Sequence, residues 1–282
     1  MASDCRLFRA GSGEWVTRAS LAEGLRQVGA CGHQILYVHT DISFGQPNSD
    51  LGRDGLLGAL LETLLDLGAG TLLVPTFTFS FCNGEDFDVR HSRSHMGALN
   101  EYIRKRPEAR RSVDPLMSTA LLGARPYLVT DVGRNSVGEG CTFDLLHRER
   151  DAHFLFLGVR PSKCFTFSHF VEERLQVPYR YPRPFTGLIT EASGRAYEDT
   201  YTLYVRHQDV VPASNGAFEA EAVATGLMLQ APCGDGFLSA MDEKAAYDLY
   251  AARIQGDINY MLERPYPEQL VETFHADHMI AL

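Results

Sequence analysis

The sequence predicts an α/β fold in which a sheet is covered by helices, and three observations carry that prediction. Short apolar runs of strand length recur at Ile35-Leu36-Tyr37-Val38, Thr71-Leu72-Leu73-Val74 and Phe154-Leu155-Phe156-Leu157-Gly158-Val159. Other segments repeat their apolar residues every three or four positions, as helices do. Glycine and proline fall at the joints, so the first third reads helix, strand, helix, strand.

Along the chain, residues 15 to 30 place Leu21, Leu25 and Val28 on one helical face, with Thr17 or Ser20 as the cap. The strand from Ile35 ends at His39-Thr40-Asp41, and Gly45, Pro47 and Asn48 mark the loop after it. Residues 54 to 67 form a Leu-rich helical pattern stopped by Gly68 and Gly70, and Pro75 halts the next strand. A helix from Gly97 to Lys105 and a short apolar segment from Thr119 to Gly123 follow. Beyond the third strand and Pro161, a helix over about Phe167 to Leu175 carries His169, Glu172 and Glu173. Pro178, Pro182 and Pro184 predict an irregular, extended crossing. Thr186 to Ile189 and Tyr197 to Val205 read as strands around a turn at Gly194. The last helix is expected from Ala240 to Leu262, beginning near Ser239 and ending before Pro265. With no repeat, low-complexity linker or charge block, residues 1–282 read as one domain.

Composition narrows the function. The chain has 26 Lys and Arg against 36 Asp and Glu, a net charge of −10, so most of its surface repels a phosphate backbone. Nucleic acid is therefore not an expected partner. An acidic cleft suits a cationic amine, although acidity is also an ordinary route to solubility. No apolar run reaches the roughly 18 residues of a membrane span, and Met1 to Arg9 lacks a leader pattern, so a cytoplasmic protein without a membrane partner is expected. The six cysteines form no C-x-x-C pair and no closely spaced set with histidine, which argues against a disulfide framework or a bound metal.

Three segments carry candidate chemistry. In Thr166-Phe167-Ser168-His169-Phe170-Val171-Glu172-Glu173, positions three apart share a helical face, so Glu172 can reach the His169 ring. A carboxylate on one ring nitrogen fixes the tautomer and leaves the other nitrogen to accept a proton, while the bland reading is a solvated helix-face pair. In Arg111-Ser112-Val113-Asp114-Pro115-Leu116-Met117-Ser118, a turn either presents side chains to a cleft or is tied down by Arg111 and Asp114. His39-Thr40 and Pro75-Thr76-Phe77-Thr78 lie at strand ends, where open α/β sheets bind ligands, though the threonines equally suit backbone capping. Cys164, five residues before His169, is a rival nucleophile whose offset turns it away from the His169 face.

The ordered series Leu36-Tyr37-Val38-His39-Thr40, Gly70 to Thr78, Phe87-Asp88, Met96-Gly97, Arg111-Ser112, Pro115, Ser118, Gly138, Phe156 to Val159 and Thr166-x-x-His169-x-x-Glu172 resembles the aminoglycoside 3-N-acetyltransferase family over about residues 20 to 205. The resemblance implies an α/β/α layered domain with a mixed, mostly parallel sheet, and acetyl-CoA as cosubstrate. It puts the catalytic pair at His169 and Glu172. It also implies that His39, Thr40, Thr76 and Thr78 lie along the pantetheine arm and acetyl group, with Ser112 and Ser118 beside the cofactor. Asp114 stands where drug-modifying members usually carry histidine, and Asp41 and Ile42 depart from their His-Ser-Ser-Leu pattern. The Pro-rich segment from Val177 to Gly187 looks more like relatives that act in surface-polysaccharide biosynthesis. Asp114 and Arg180 are accordingly candidate acceptor contacts, with Arg180 and Arg183 suited to phosphate or to bracing the loop.

The chemistry expected is direct attack of a primary amine on acetyl-CoA, with His169 as general base and an amino sugar or nucleotide-linked amino sugar as acceptor. The alternatives are an aminoglycoside acceptor, as in antibiotic resistance, and a protein that binds CoA or amine without turnover. A homodimer is a candidate assembly.

Overall fold

In the computed structural model, described for residues 4–274, alternation along the strands decides the architecture. Residues 1–3 and 275–282 of the expected domain lie outside the described residues. The chain opens with β1 (Arg6–Arg9), β2 (Trp15–Thr17), α1 (Arg18–Gln27), β3 (Ile35–Thr40), β4 (Gln46–Pro47), α2 (Gly52–Leu65) and β5 (Thr71–Pro75). It continues through β6 (Phe87–Asp88), α3 (Ala98–Arg104), β7 (Arg110–Arg111), β8 (Thr119–Gly123), α4 (Tyr127–Thr130), α5 (Thr142–His147) and β9 (Ala152–Leu157). Then come α6 (Pro161–Cys164), α7 (Phe167–Arg174), β10 (Arg180–Thr190), β11 (Ala196–Arg206), α8 (Gly216–Ala224), β12 (Met228–Cys233), β13 (Gly236–Asp242) and α9 (Glu243–Gly256).

The central sheet runs β12-β13-β9-β3-β5-β8-β7. Its strands are apolar on both faces. Ile35, Tyr37, Phe154 and Phe156 enter one core with Phe167, Phe170 and Tyr250 from α7 and α9. Leu36, Val38, Leu155 and Leu157 enter the other with Leu21, Leu25, Leu57 and Leu60 from α1 and α2. Period-two alternation thus feeds two helical layers, giving the α/β/α arrangement. The sheet is mixed, but parallel pairing is confined to its centre, β9 with β3 and β3 with β5. The flanking pairs are antiparallel, so β13 and β8 run against the other five strands and the mixed sheet keeps the mostly parallel strand direction expected. The reason for the antiparallel flanks is connectivity: the short β12–β13 link makes a hairpin, whereas parallel neighbours need a long crossover such as α2.

Both predicted caps of α1 act together. Ser20 N donates to Thr17 Oγ1 at 3.1 Å and Thr17 N donates to Ser20 Oγ at 2.9 Å, a reciprocal capping box. Two other expectations are corrected. The final helix starts at Glu243, capped by Asp242 Oδ1, which accepts from Ala245 N at 2.9 Å, because Gly236–Asp242 pairs with β9 as a strand. The proline crossing is a regular strand: β10 pairs with β11 from Arg180 to Thr190 without a break in register. Pro182 and Pro184 are two apart, so both missing N–H groups point to the edge away from β11.

Candidate active site

His169 sits in the first turn of α7, where Phe167, Phe170 and Val171 anchor the helix in the core and leave the ring at its edge. Glu172, one turn on, brings Oε2 to 2.9 Å from His169 Nδ1. Two more groups reach this pair from β10 and the loop before it. Tyr179 Oη donates to Glu172 Oε1 at 3.0 Å. Arg180 Nε lies 2.9 Å from Glu172 Oε2 as an ion pair without hydrogen-bond alignment, and Arg180 Nη1 donates to Tyr204 O at 3.1 Å. Arg180 Nη2 stands 3.1 Å from His169 Nδ1.

These charges set the protonation states. Burial pushes the Glu172 carboxyl up, but Arg180 and the His169 hydrogen bond outweigh it and hold the group at about 2. Glu172 is therefore an acceptor, and the Nδ1-protonated tautomer donates to it, leaving the Arg180 Nη2 beside Nδ1 as a charge contact and not a hydrogen-bond donor. Burial, then the Arg180 charge, pull the His169 pKa below 6.5 against the opposing pull of Glu172. The ring is neutral near pH 7, and its Nε2 has no hydrogen-bond partner among the described residues. The arrangement is a neutral imidazole with one nitrogen pinned and one lone pair available.

Two cavities meet beside this ring. One, about 450 Å³, is lined by His169, Glu172, Arg180, Lys163, Ser214 and Asn215 among others. The other, about 290 Å³, is lined by His39, Thr40, Ile42, Met96, Gly97 and Asn100 among others. Cys164 and Thr166 belong to both walls. Thr166 Oγ1 is buried and unpartnered at that junction.

The remaining predicted residues divide clearly. His39 borders the smaller cavity from the end of β3, stacked on Phe156 at 5.2 Å, with its pKa lowered to about 3 by burial. Thr40 lies beside it and donates to Asn100 Oδ1 at 2.5 Å. Thr76, Thr78, Ser112, Ser118 and Asp114 are not among the residues lining either cavity. Ser118 Oγ donates to Thr76 O at 2.7 Å, and Arg111 Nε lies 3.1 Å from that Oγ and 3.3 Å from Thr76 Oγ1. Thr78 Oγ1 donates to Pro115 O, and Ser112 Oγ accepts from Thr119 N. Asp114 Oδ1 accepts from Leu116 N, Met117 N and Ser136 Oγ. Arg111 and Asp114 thus tie down a loop, one of the two readings open from the sequence. Cys164 is pushed up by burial, so its thiol is not poised as a thiolate. Tyr179, Thr166, Asn100 and the Ser214-Asn215 wall were not singled out from sequence. Thr166 and Tyr179 lie within segments that were quoted, whereas Asn100 and residues 214–215 carry no local signal.

Residues 38–255 match the family described as Aminoglycoside 3-N-acetyltransferase, well over half of the chain. The chain belongs to this family. As a member of the aminoglycoside 3-N-acetyltransferases it is an N-acetyltransferase. Its fold is shared with solved structures at low identity. Apo aminoglycoside acetyltransferase AAC(3)-IVa is 21% identical, with a TM-score of 0.68 over 94% of this chain and 95% of that one. AAC-IIIb in binary complex with CoASH is 21% identical, with a TM-score of 0.67 over 89% and 98%. AAC-VIa bound to sisomicin is 19% identical, with a TM-score of 0.69 over 85% and 97%. Comparison with curated protein sequences gave no match.

Proposed function

We propose that this aminoglycoside 3-N-acetyltransferase moves an acetyl group from acetyl-CoA to an amine of an aminoglycoside, with His169 as general base. The observation that carries the reading is the neutral His169 ring, pinned at Nδ1 by Glu172, beside the junction of two cavities. Acetyl-CoA approaches through the smaller cavity, whose Ile42 and Met96 suit the pantetheine chain. The amine approaches through the larger one. AAC-IIIb with CoASH and AAC-VIa with sisomicin support this choice of donor and acceptor class.

An alkylamine with a pKa near ~10 is almost wholly protonated at neutral pH and must lose a proton to attack. The ammonium first releases one proton to solvent, and His169 Nε2 takes the second from the amine nitrogen as it bonds to the thioester carbonyl carbon. The carbon–sulfur bond then breaks, and the imidazolium returns the proton to the departing thiolate, giving the amide and CoA. The oxyanion needs a donor. Thr166 supplies it after a turn about χ1 that presents its unpartnered hydroxyl, in place of Thr76 and Ser118, whose hydroxyls are engaged.

The nucleotide-linked amino sugar is the weaker reading. Arg180 is held against Glu172, and Arg183 lies over the rings of Phe185 and Phe274 at 5.6 and 4.9 Å, so neither guanidinium is presented to a phosphate. The test is CoA release with gentamicin and sisomicin against a panel of nucleotide-linked amino sugars, read by mass spectrometry. Aminoglycoside turnover is expected, with His169→Gln losing roughly 10²–10⁴-fold in kcat and still binding acetyl-CoA. Full turnover in that variant refutes the base, and exclusive use of nucleotide sugars refutes the acceptor.

A further inference from the structure

At the end of the central strands opposite the cavities, three side chains converge that acetyl transfer does not use. His33 precedes β3, Asp151 precedes β9 and His153 lies on β9. One ligand-capable atom from each lies within 4.8 Å of the others. Asp151 Oδ1 is 2.9 Å from His33 Nδ1 and 3.5 Å from His153 Nδ1. The two imidazoles stack with centroids 3.4 Å apart and planes at 16°.

Proton placement shows what the cluster lacks. His33 Nε2 lies 2.7 Å from Gly29 O, which only accepts, so Nε2 carries the proton. In the neutral ring, Nδ1 then aims a bare lone pair at a carboxylate oxygen. His153 Nε2 lies 4.0 Å from Asp242 Oδ2, beyond hydrogen-bond reach, and its Nδ1 is buried without a hydrogen-bond partner. A second proton on His33 would serve only its own contact with Asp151 and leave His153 Nδ1 bare, whereas a cation among the three atoms is ligated by all of them. The outer contact of His33 is also that of a metal-bound histidine, its Nε2 donating to the Gly29 carbonyl. Asp151 is steadied in turn, its Oδ2 accepting from Gln34 N at 2.9 Å. Tetrahedral ligands about 2.0–2.1 Å from zinc stand about 3.3 Å apart, a spacing close to those seen here.

We propose that His33, Asp151 and His153 bind a divalent transition-metal ion, with Zn²⁺ the best match for two imidazoles and one carboxylate and with water at the fourth position. Binding hinges the stacked rings apart until both Nδ1 lone pairs meet the ion. It clamps the starts of β3 and β9, which pair from Ile35 and Ala152. Six-residue strands place the site roughly 20 Å from the cavities, so it acts on stability, independently of acetyl transfer.

Chelator-treated full-length protein is titrated with Zn²⁺ and Ni²⁺ by calorimetry and thermal melting. One ion per chain is expected, with a melting midpoint raised by several degrees at saturation. His33→Gln and His153→Gln each weaken binding by more than about a hundredfold, since even outer-shell changes cost about 10–100-fold. His91→Gln, which breaks an exposed His–Asp pair, leaves binding unchanged. Should a variant fail to fold, the visible spectrum of Co²⁺ on the unsubstituted protein reports the same ligands through four-coordinate bands. Absence of stoichiometric binding, binding unaffected by both substitutions, or a six-coordinate cobalt spectrum overturns the proposal.

Discussion

Glu172 is 1% exposed and Arg180 8%, so their ion pair is desolvated and each charge depends on the other. Glu172→Gln leaves Arg180 buried and unpaired, and about 3–5 kcal/mol of stability is expected to go with it, measurable by urea unfolding. In kinetics, losing the negative charge lowers the His169 pKa further. The acid limb of the kcat profile then moves to lower pH while the plateau falls at least about tenfold, less than the ~10⁴-fold loss in a Ser-His-Asp triad. A purely structural role for Glu172 leaves the limb in place. The same groups make the fold acid-labile. Glu172 titrates near 2 in the folded chain against an ordinary 4.5, so its stabilisation is complete above 4.5 and drains as pH falls towards 2. His169, lowered below 6.5, favours the unfolded chain once pH drops below that value. Urea midpoints that fall steadily from pH 7 to pH 4 are the expected result. At the oxyanion, Thr166→Val is expected to lose roughly 10²–10³-fold in kcat with little change in KM for acetyl-CoA.

Between elements, the joints decide where the site can form. Gly158 ends β9 at φ 77°, and an added Cβ would stand 1.8 Å from Asp41 O on the loop after β3. No rotamer relieves a clash with backbone, so Gly158→Ala is expected to cost about 2–4 kcal/mol and to disturb the Asp41 wall of the smaller cavity. Chemical denaturation with acetyl-CoA titration checks both effects. Local rules read many joints correctly: Thr17 and Ser20 cap α1, Gly194 turns the β10–β11 hairpin, and i,i+3 spacing joins His169 to Glu172. They failed at Ala240, where apolar spacing suits a helix while pairing with Leu155 makes a strand. They failed again at Pro182 and Pro184, because sequence does not show that one strand edge lies open.

Across the whole molecule, the net charge of −10 acts on both substrates with opposite sign. If the acceptor is the proposed aminoglycoside, that polycation is drawn in and anionic acetyl-CoA repelled, and a Debye length of ~10 Å at 0.1 M salt weakens both effects. Raising salt is therefore expected to increase KM for the aminoglycoside severalfold without increasing KM for acetyl-CoA. Initial rates at low and high ionic strength test this. The sequence by itself determined the buried strands, the helix bearing His169 and Glu172, and the family, since each follows from residue type and near spacing. Only the tertiary structure decided the antiparallel flanks of the sheet, the hold of Arg180 and Tyr179 on Glu172, and the engagement of Thr76, Ser118 and Asp114 within the protein. The His33–Asp151–His153 cluster belongs with these, bridging 118 positions. All depend on which distant segments share an edge or a core, and strand register and desolvation are properties of packed pairs that no local window contains.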